Sequence, residues 1–357
     1  MKKFLCVVCC AFLVLSLFAC NKTERDPVSS TGSDTIIPSE SQLPISSDVS
    51  SEAPSSSQPA ESASTSSEPQ VSSETPVSST PTSSAPPAPA PIPTPQPEPL
   101  PEITPLSPFT YTVTDPENLR GLATERRGFS FGVARDGQPH SQSILNQSTF
   151  DGFANVSALA LDRRTTEKVM YLTFDTGYEY ENLTASILDT LMEKGVKAAF
   201  FVTLPYAKQN PQLVSRMINE GHVVGNHSTT HPSFPGLSRT QMAEEIATLA
   251  NYLRGTFGYS SPFFRFPEGA HSENSLELVT SIGFNSVFWS VAHSDWDTAN
   301  QKGADNAFST VTSRFHPGAV ILLHAVSRDN ADALGRIIDQ ATAEGYTFKT
   351  LWDYFGQ

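Results

Sequence analysis

Apolar residues recur along the C-terminal half of this chain in short runs that alternate with segments of helical period. Val169 to Phe174 is an almost unbroken apolar run, the pattern of a strand buried on both faces. It ends at Asp175-Thr176-Gly177, where an acid and a glycine open a loop. A carboxylate at the end of a buried strand is costly unless it is paired or used, so Asp175 is the first candidate for chemistry. A helix from Asn182 to Lys194 follows, with Gly195 past its end, then a strand Ala198 to Val202. The spacing next predicts a helix Pro211 to Glu220 stopped by Gly221, and a strand His222 to Val224. Ser238 and Gln241 form a capping box for a helix that runs to Leu253. Strand Phe263 to Arg265, helix Ser275 to Ile282 and strand Ser286 to Val291 come next. Helix Asn306 to Phe315, strand Ala319 to Leu323 and helix Asn330 to Glu344 follow, and Phe348 to Phe355 closes the pattern.

Repeated alternation of strand and helix, with glycine just past most helices, predicts an α/β fold with a parallel sheet covered by helices. Six or seven strands without a glycine-rich dinucleotide fingerprint favour a (β/α) barrel, distorted or incomplete, over a doubly wound sheet. In such barrels the active residues sit at the C-terminal ends of the strands. Asp175 ends the first strand, His227 follows the strand at Val224, and Arg265 ends the Phe263 strand. Asp295 lies just past Val291, and His324 ends the Leu323 strand. All five ionisable residues fall at the same end, so they are expected to converge on one site.

Upstream the pattern is different. Lys2-Lys3 precede an apolar stretch, Phe4 to Phe18, that is short for a membrane span and reads as a signal peptide over residues 1–19. Leu17-Phe18-Ala19-Cys20 looks like a bacterial lipoprotein cleavage site, with Cys20 as the lipid attachment point and a cell-membrane anchor outside the cytoplasm as the expected location. All four cysteines lie at or before Cys20, so the mature fold is expected to carry no disulfide and no thiol nucleophile. Residues 20–107 collapse to Ser, Pro, Thr, Ala, Glu and Gln, too poor in apolar side chains to offset folding entropy, and read as a disordered tether. Such a coil reaches on the order of 50 Å, and more where proline is dense. Residues 108–168 show no clean period and read as an ordered extension packed on the main domain, 169–357. The net charge of −14 excludes a polybasic surface for nucleic acid or anionic lipid.

Charge and residue type then sharpen the candidate site. His227-Ser228-Thr229-Thr230-His231 carries two imidazoles four apart, which on a helix would share one face suited to a divalent metal. Two histidines do not complete a zinc site, and Asp175 is a candidate third ligand. Arg265-Phe266-Pro267-Glu268-Gly269 breaks a strand sharply, and Arg265 is expected to hold a rim carboxylate ionised. Asp295 either makes a structural ion pair or orients an imidazole, with Trp296 as an apolar wall for a sugar face. His222, His293 and His316 lack companions and read as structural.

These motifs, in this order, resemble those of the polysaccharide deacetylase family, also called the NodB homology domain or carbohydrate esterase family 4: Thr173-Phe174-Asp175-Thr176-Gly177, His227 to His231, Arg265-x-Pro267-x-Gly269, Asp295-Trp296 and Leu322-Leu323-His324. The resemblance covers about Val169 to the C-terminus. Val287 to Ala292, Asn300 to Gly303, His316 to Ala319, Leu322 to Ala331 and Gly345 to Lys349 are most similar to the muramic acid deacetylases that form the δ-lactam of spore cortex peptidoglycan. The resemblance implies a distorted barrel of the NodB type and hydrolysis of an N-acetyl sugar amide, with peptidoglycan glycan strands as partner. It makes Asp175 the general base, His227 and His231 the ligands of a divalent metal, zinc foremost, and His324 the acid for the departing amine. Asp295 would tune His324, Arg265 would brace Asp175, a backbone N–H near Glu268 would hold the oxyanion, and Trp296 and Leu322 would line the sugar site. The family's second acid is Thr176 here, a poor substitute for a carboxylate on a metal, as the muramic acid branch also lacks that acid. N-acetylmuramic acid is the expected sugar, in residues stripped of peptide. N-acetylglucosamine of peptidoglycan or chitin-like polymers is the alternative, and a wall-binding module without catalysis is the alternative of a different class.

Overall fold

The computed structural model describes residues 103–356, so Cys20, the signal peptide and most of the tether lie outside the described residues. Eight strands form one sheet: β1 (Ala158–Leu159), β2 (Val169–Thr176), β3 (Ala199–Val202), β4 (Val223–Asn226), β5 (Phe263–Phe264), β6 (Asn285–Val287), β7 (Ala319–His324) and β8 (Thr347–Phe348). The helices are α1 (Ser141–Gly152), α2 (Leu183–Lys194), α3 (Leu204–Gln209), α4 (Pro211–Asn219), α5 (Arg239–Phe257), α6 (Glu273–Ser281), α7 (Ala304–Thr312), α8 (Arg328–Ala343) and α9 (Leu351–Phe355).

The strand order is β1-β6-β5-β4-β3-β2-β7, with β8 beside the start of β2, and every ladder is parallel. The chain leaving β6 meets β7 through the bridge Val291 to Ile321, and the chain leaving β1 meets it through Leu161 to Ala319, so the ring closes through isolated bridges. This is a distorted (β/α) barrel. The strand expected to run from Ser286 to Val291 is shorter because its backbone changes partners. Phe288 N donates to Leu159 O of β1, whereas Ser290 N and Val291 N donate to Val320 O of β7.

Strand alternation sorts the core into two clusters. Met170, Leu172 and Phe174 of β2 pack outward on Ile187, Leu188 and Leu191 of α2 and on Leu334, Ile337 and Ile338 of α8. The helical spacing of those residues presents one apolar stripe to the sheet, and each fully buried aliphatic side chain contributes about 1.5–3 kcal/mol. Tyr171 faces the barrel interior with Phe201, Phe264, Phe288, Val320 and Leu322. Asp175 and His324 share that interior parity and are register partners on β2 and β7, so both belong to the barrel mouth.

Three elements were not visible in the hydrophobic pattern: α1, β1 and α3. In α1 the organising residue is polar. Buried Gln147 accepts from Ala160 N and Leu161 N through Oε1 and donates to Ala158 O through Nε2, pinning β1 to the edge of β6. The segment 108–168 therefore supplies a strand of the barrel sheet as well as packing against it. The expected capping box of Ser238 and Gln241 is formed, and Gly195 ends α2 in the left-handed region.

Gly318 enters β7 at φ +74°, and a β-carbon there would lie 2.1 Å from Asp162 O. Gly318→Ala is expected to lower stability by about 2 kcal/mol or more, from strain added to a backbone clash, as read by the midpoint of urea unfolding. An unchanged midpoint would show that the 162–169 segment is loosely held.

Candidate active site

The barrel interior places an arginine beneath the acid at the end of β2. Arg265 is fully buried, with its guanidinium over the Phe201 ring at 4.2 Å. Its Nη1 donates to Asp175 Oδ1 (2.8 Å), its Nη2 to Thr173 Oγ1 (2.9 Å) and its Nε to Val287 O (2.9 Å). Burial opposes ionisation of Asp175, but the charge and hydrogen bond of Arg265, with the charge of His324, overcome it and hold the carboxyl below the usual range. Asp175 is thus an anion with one oxygen fixed and the other facing the site.

Across the mouth, His324 Nδ1 meets Asp295 Oδ1 at 2.7 Å, and its backbone N donates to Asp295 Oδ2 at 2.8 Å. Asn330 Nδ2 donates to Asp295 Oδ2 and its Oδ1 meets His293 Nε2 at 3.0 Å, so the acid is fixed on both sides. Burial opposes protonation of His324, but the hydrogen bond and charge of Asp295 outweigh it and raise the imidazole above its ordinary value. Burial likewise opposes ionisation of Asp295, which is held low by the His324 contact. The mouth therefore holds a carboxyl kept below its usual range facing an imidazole kept above its ordinary value.

His227 and His231 do not lie on a helix. Their segment is a loop in which Ser228 (φ +71°) and His231 (φ +58°) adopt left-handed backbone. Glu245 of α5 shapes it: Oε2 accepts from Thr229 N (3.0 Å) and Thr230 N (2.8 Å), and Oε1 from Thr230 Oγ1 (2.7 Å). The turn brings the two rings to 4.9 Å, edge to face. Nothing in the apolar period pointed to Glu245, a helix acid that in sequence resembles any solvated one.

The divalent metal implied by the resemblance is tested by this donor set. His227 Nδ1 lies 2.9 Å from Arg265 O, which leaves Nε2 facing Asp175 Oδ2 at 3.6 Å. Burial pushes the His227 imidazole down to about 4, so the ring is neutral and Nε2 offers a lone pair. The two imidazoles, 4.9 Å apart, fit a divalent cation. Asp175 Oδ2, the oxygen that Arg265 leaves free, lies 3.6 Å from His227 Nε2 as the third donor expected from the sequence, and Thr176 supplies a buried Oγ1 without a hydrogen-bond partner where the family's second carboxylate would stand.

A cavity of about 1170 Å³ joins these groups, and Asp175, His227, His231, His324, Leu322 and Glu268 all line it. Trp296 forms its open rim, 57% exposed, with its ring 5.8 Å from that of His324. Glu268 sits at φ +57° and its carboxylate is paired with Arg126 at 3.0 Å. His293, expected to be structural, belongs to the site neighbourhood, lining the cavity and touching Asn330. His222 and His316 are buried away from the cavity lining, as expected of structural histidines.

Comparison with known proteins agrees with this geometry. The polysaccharide deacetylase family profile matches residues 162–287. The chain is 42% identical over 190 residues to the peptidoglycan-N-acetylmuramic acid deacetylase PdaA of Bacillus subtilis, covering 53% of this chain and 72% of that protein. It is 37% identical over 188 residues to a peptidoglycan-N-acetylglucosamine deacetylase of Bacillus cereus, covering 52% of this chain and 67% of that one. The solved structure of B. subtilis PdaA, a family 4 carbohydrate esterase, superposes with a TM-score of 0.59 at 38% identity, covering 65% of this chain and 97% of that one. With Asp175 and His324 at register-paired strand ends and this extent of similarity, the chain belongs to the polysaccharide deacetylase family and is an enzyme of it.

Proposed function

We propose that this enzyme removes the N-acetyl group of N-acetylmuramic acid in peptidoglycan, on residues that have lost their peptide. The observation that carries the chemistry is the placing of Asp175, held by Arg265, and His324, held by Asp295, as register partners on one cavity. The choice of sugar is supported by the 42% identity to an enzyme named for muramic acid.

In the reaction, Asp175 takes a proton from water as its oxygen attacks the acetyl carbonyl carbon. Arg265 holds Asp175 in place through this step. The carbonyl electrons move to oxygen, and a backbone N–H near Glu268 stabilises that oxyanion. When the carbonyl re-forms, the C–N bond breaks, and His324 protonates the amine that leaves. Acetate departs, and Asp175 returns its proton to solvent as His324 regains one. A divalent cation held by His227 and His231 would polarise the carbonyl and the attacking water. Trp296 and Leu322 bound the sugar, and Asp295 keeps His324 protonated and oriented.

The test is acetate release by the purified protein from glycan strands with and without peptide stems, with product masses assigned to each sugar. Acetyl loss from muramic acid on peptide-free strands, reduced by chelation and restored by zinc, is the expected result. Loss from glucosamine alone would establish the second reading, which the B. cereus similarity favours. No release at all would favour a wall-binding module.

Asp295→Asn should move the alkaline limb of kcat to lower pH by about one unit or more. His324 is active when protonated, so activity is present below its pKa and lost as pH rises through it. Removing the neighbouring charge lowers that pKa, and an unmoved limb would assign the acid role elsewhere. We further infer that the protein acts outside the cytoplasm, held to the membrane by a lipid on Cys20 and spaced from it by the tether. Release of Cys20→Ala from the membrane fraction tests this.

A further inference from the structure

The same cavity is lined by Lys302, Asn306, Thr310 and Arg314, on α7 and within two residues of its two ends. Its charges are unevenly satisfied. The two acids that line the cavity are each neutralised, Asp175 by Arg265 and Glu268 by Arg126. Its two formal cations are not. Arg314 is half-buried, and Nη1 donates only to the carbonyl of Ala292, in the loop that carries Asp295. Burial pushes its pKa down, with no carboxylate nearby to offset the shift. Lys302 has its backbone fixed, donating N–H to Asp329 Oδ2 at 2.7 Å, while its ammonium forms no ion pair among the described residues. Leaving a guanidinium partly buried without a counter-ion is unfavourable in the free protein, and an anionic ligand relieves that cost. In a chain of net charge −14, two unpaired cations opening on the catalytic cavity are a selective feature.

We propose that Arg314, assisted by Lys302, is a carboxylate-recognition site that binds the 3-O-lactyl carboxylate of N-acetylmuramic acid and thereby selects peptide-free residues. The inference rests on the proposed function. On muramic acid the lactyl ether is on the carbon next to the one bearing the acetamido group, so an acetamido at the Asp175–His324 pair leaves the carboxylate in the same cavity. That carboxylate is free only when no peptide is attached; with a stem it is a neutral amide. A guanidinium binds a carboxylate through two parallel N–H donors and gains far less from an amide oxygen. One group thus distinguishes muramic acid from glucosamine and bare residues from substituted ones.

The experiment compares kcat/KM of wild type, Arg314→Gln, Arg314→Lys and Lys302→Gln on three substrates: peptide-free muramic acid strands, peptide-bearing strands and N-acetylglucosamine oligomers. Arg314→Gln is expected to lose about 10- to 100-fold on peptide-free strands, chiefly through KM, and to change little on the other two. Arg314→Lys should recover part of the loss, and Lys302→Gln, at an exposed position, should show a smaller loss of the same kind. An equal loss on all three substrates would mean that Arg314 only supports the Ala292 loop and would overturn the inference. A wild-type preference retained by Arg314→Gln would do so too. If Arg314→Gln does not fold, an unaltered preference in Lys302→Gln overturns it. Wild-type activity confined to glucosamine would overturn the proposed function itself, so the two failures are distinguishable.

Discussion

Asp175→Asn is expected to release acetate about 10³-fold more slowly than the wild type while binding the same glycan strands. Asparagine keeps the shape and can still accept from Arg265, but it cannot take a proton from water. Loss of a positioned base costs about 10²- to 10⁴-fold, and the fixed geometry of Asp175 argues for the upper part of that range. One oxygen is held by Arg265 at 2.8 Å, and the other faces His227 Nε2 at 3.6 Å, at the head of the cavity that also receives His324. Single-turnover acetate release separates this loss from a change in binding. Retention of more than a tenth of wild-type activity would place the base elsewhere.

The largest effect on stability is expected at Arg265. Arg265→Met removes the donors to Asp175, Thr173, Val287 and Phe288 at once, and leaves the Asp175 carboxylate buried without its counter-ion. Removing one partner of a buried ion pair costs on the order of 3–5 kcal/mol, so the urea midpoint should fall far more than for Asp295→Asn, whose imidazole partner can lose its charge. The pair as such need not stabilise the fold, because two buried charges lose much of their hydration. The double variant Arg265→Met/Asp175→Leu should therefore recover most of the stability and none of the activity. A double variant as unstable as the single one would show that Arg265 acts mainly through the carbonyls of Val287 and Phe288. Together the two experiments separate what holds the barrel from what performs the hydrolysis.

Much of the architecture was readable in the chain because its signals are local. Almost unbroken apolar runs such as Val169 to Phe174, closed by a turn signal, read as strands covered on both faces, and all eight residues of β2 are buried. The serine and glycine caps that bound α5 and α2 act within one helical turn. The same reasoning put Asp175, Arg265, Asp295 and His324 at one end of the sheet, because a parallel sheet aligns its strand ends. It failed where a polar side chain at long range sets the conformation. Gln147 creates β1 by bonding to residues 11 to 14 positions away, and Glu245 folds the His227 loop from 15 positions away. In neither case does hydrophobic period carry a trace.

The sequence by itself determined most of the succession of strands and helices from Val169 onward, the family, and the residue types gathered at the barrel mouth. Periodicity, capping and motif order all belong to neighbours in the chain. Only the tertiary structure decided the contacts themselves. It formed the pairs Asp175–Arg265 and Asp295–His324 that the motifs implied, and among the described residues it left Arg314 and Lys302 without an ion pair beside the same cavity. Pairing of buried charges depends on distances of a few ångströms between residues up to 90 positions apart, which only the closure of the barrel sets.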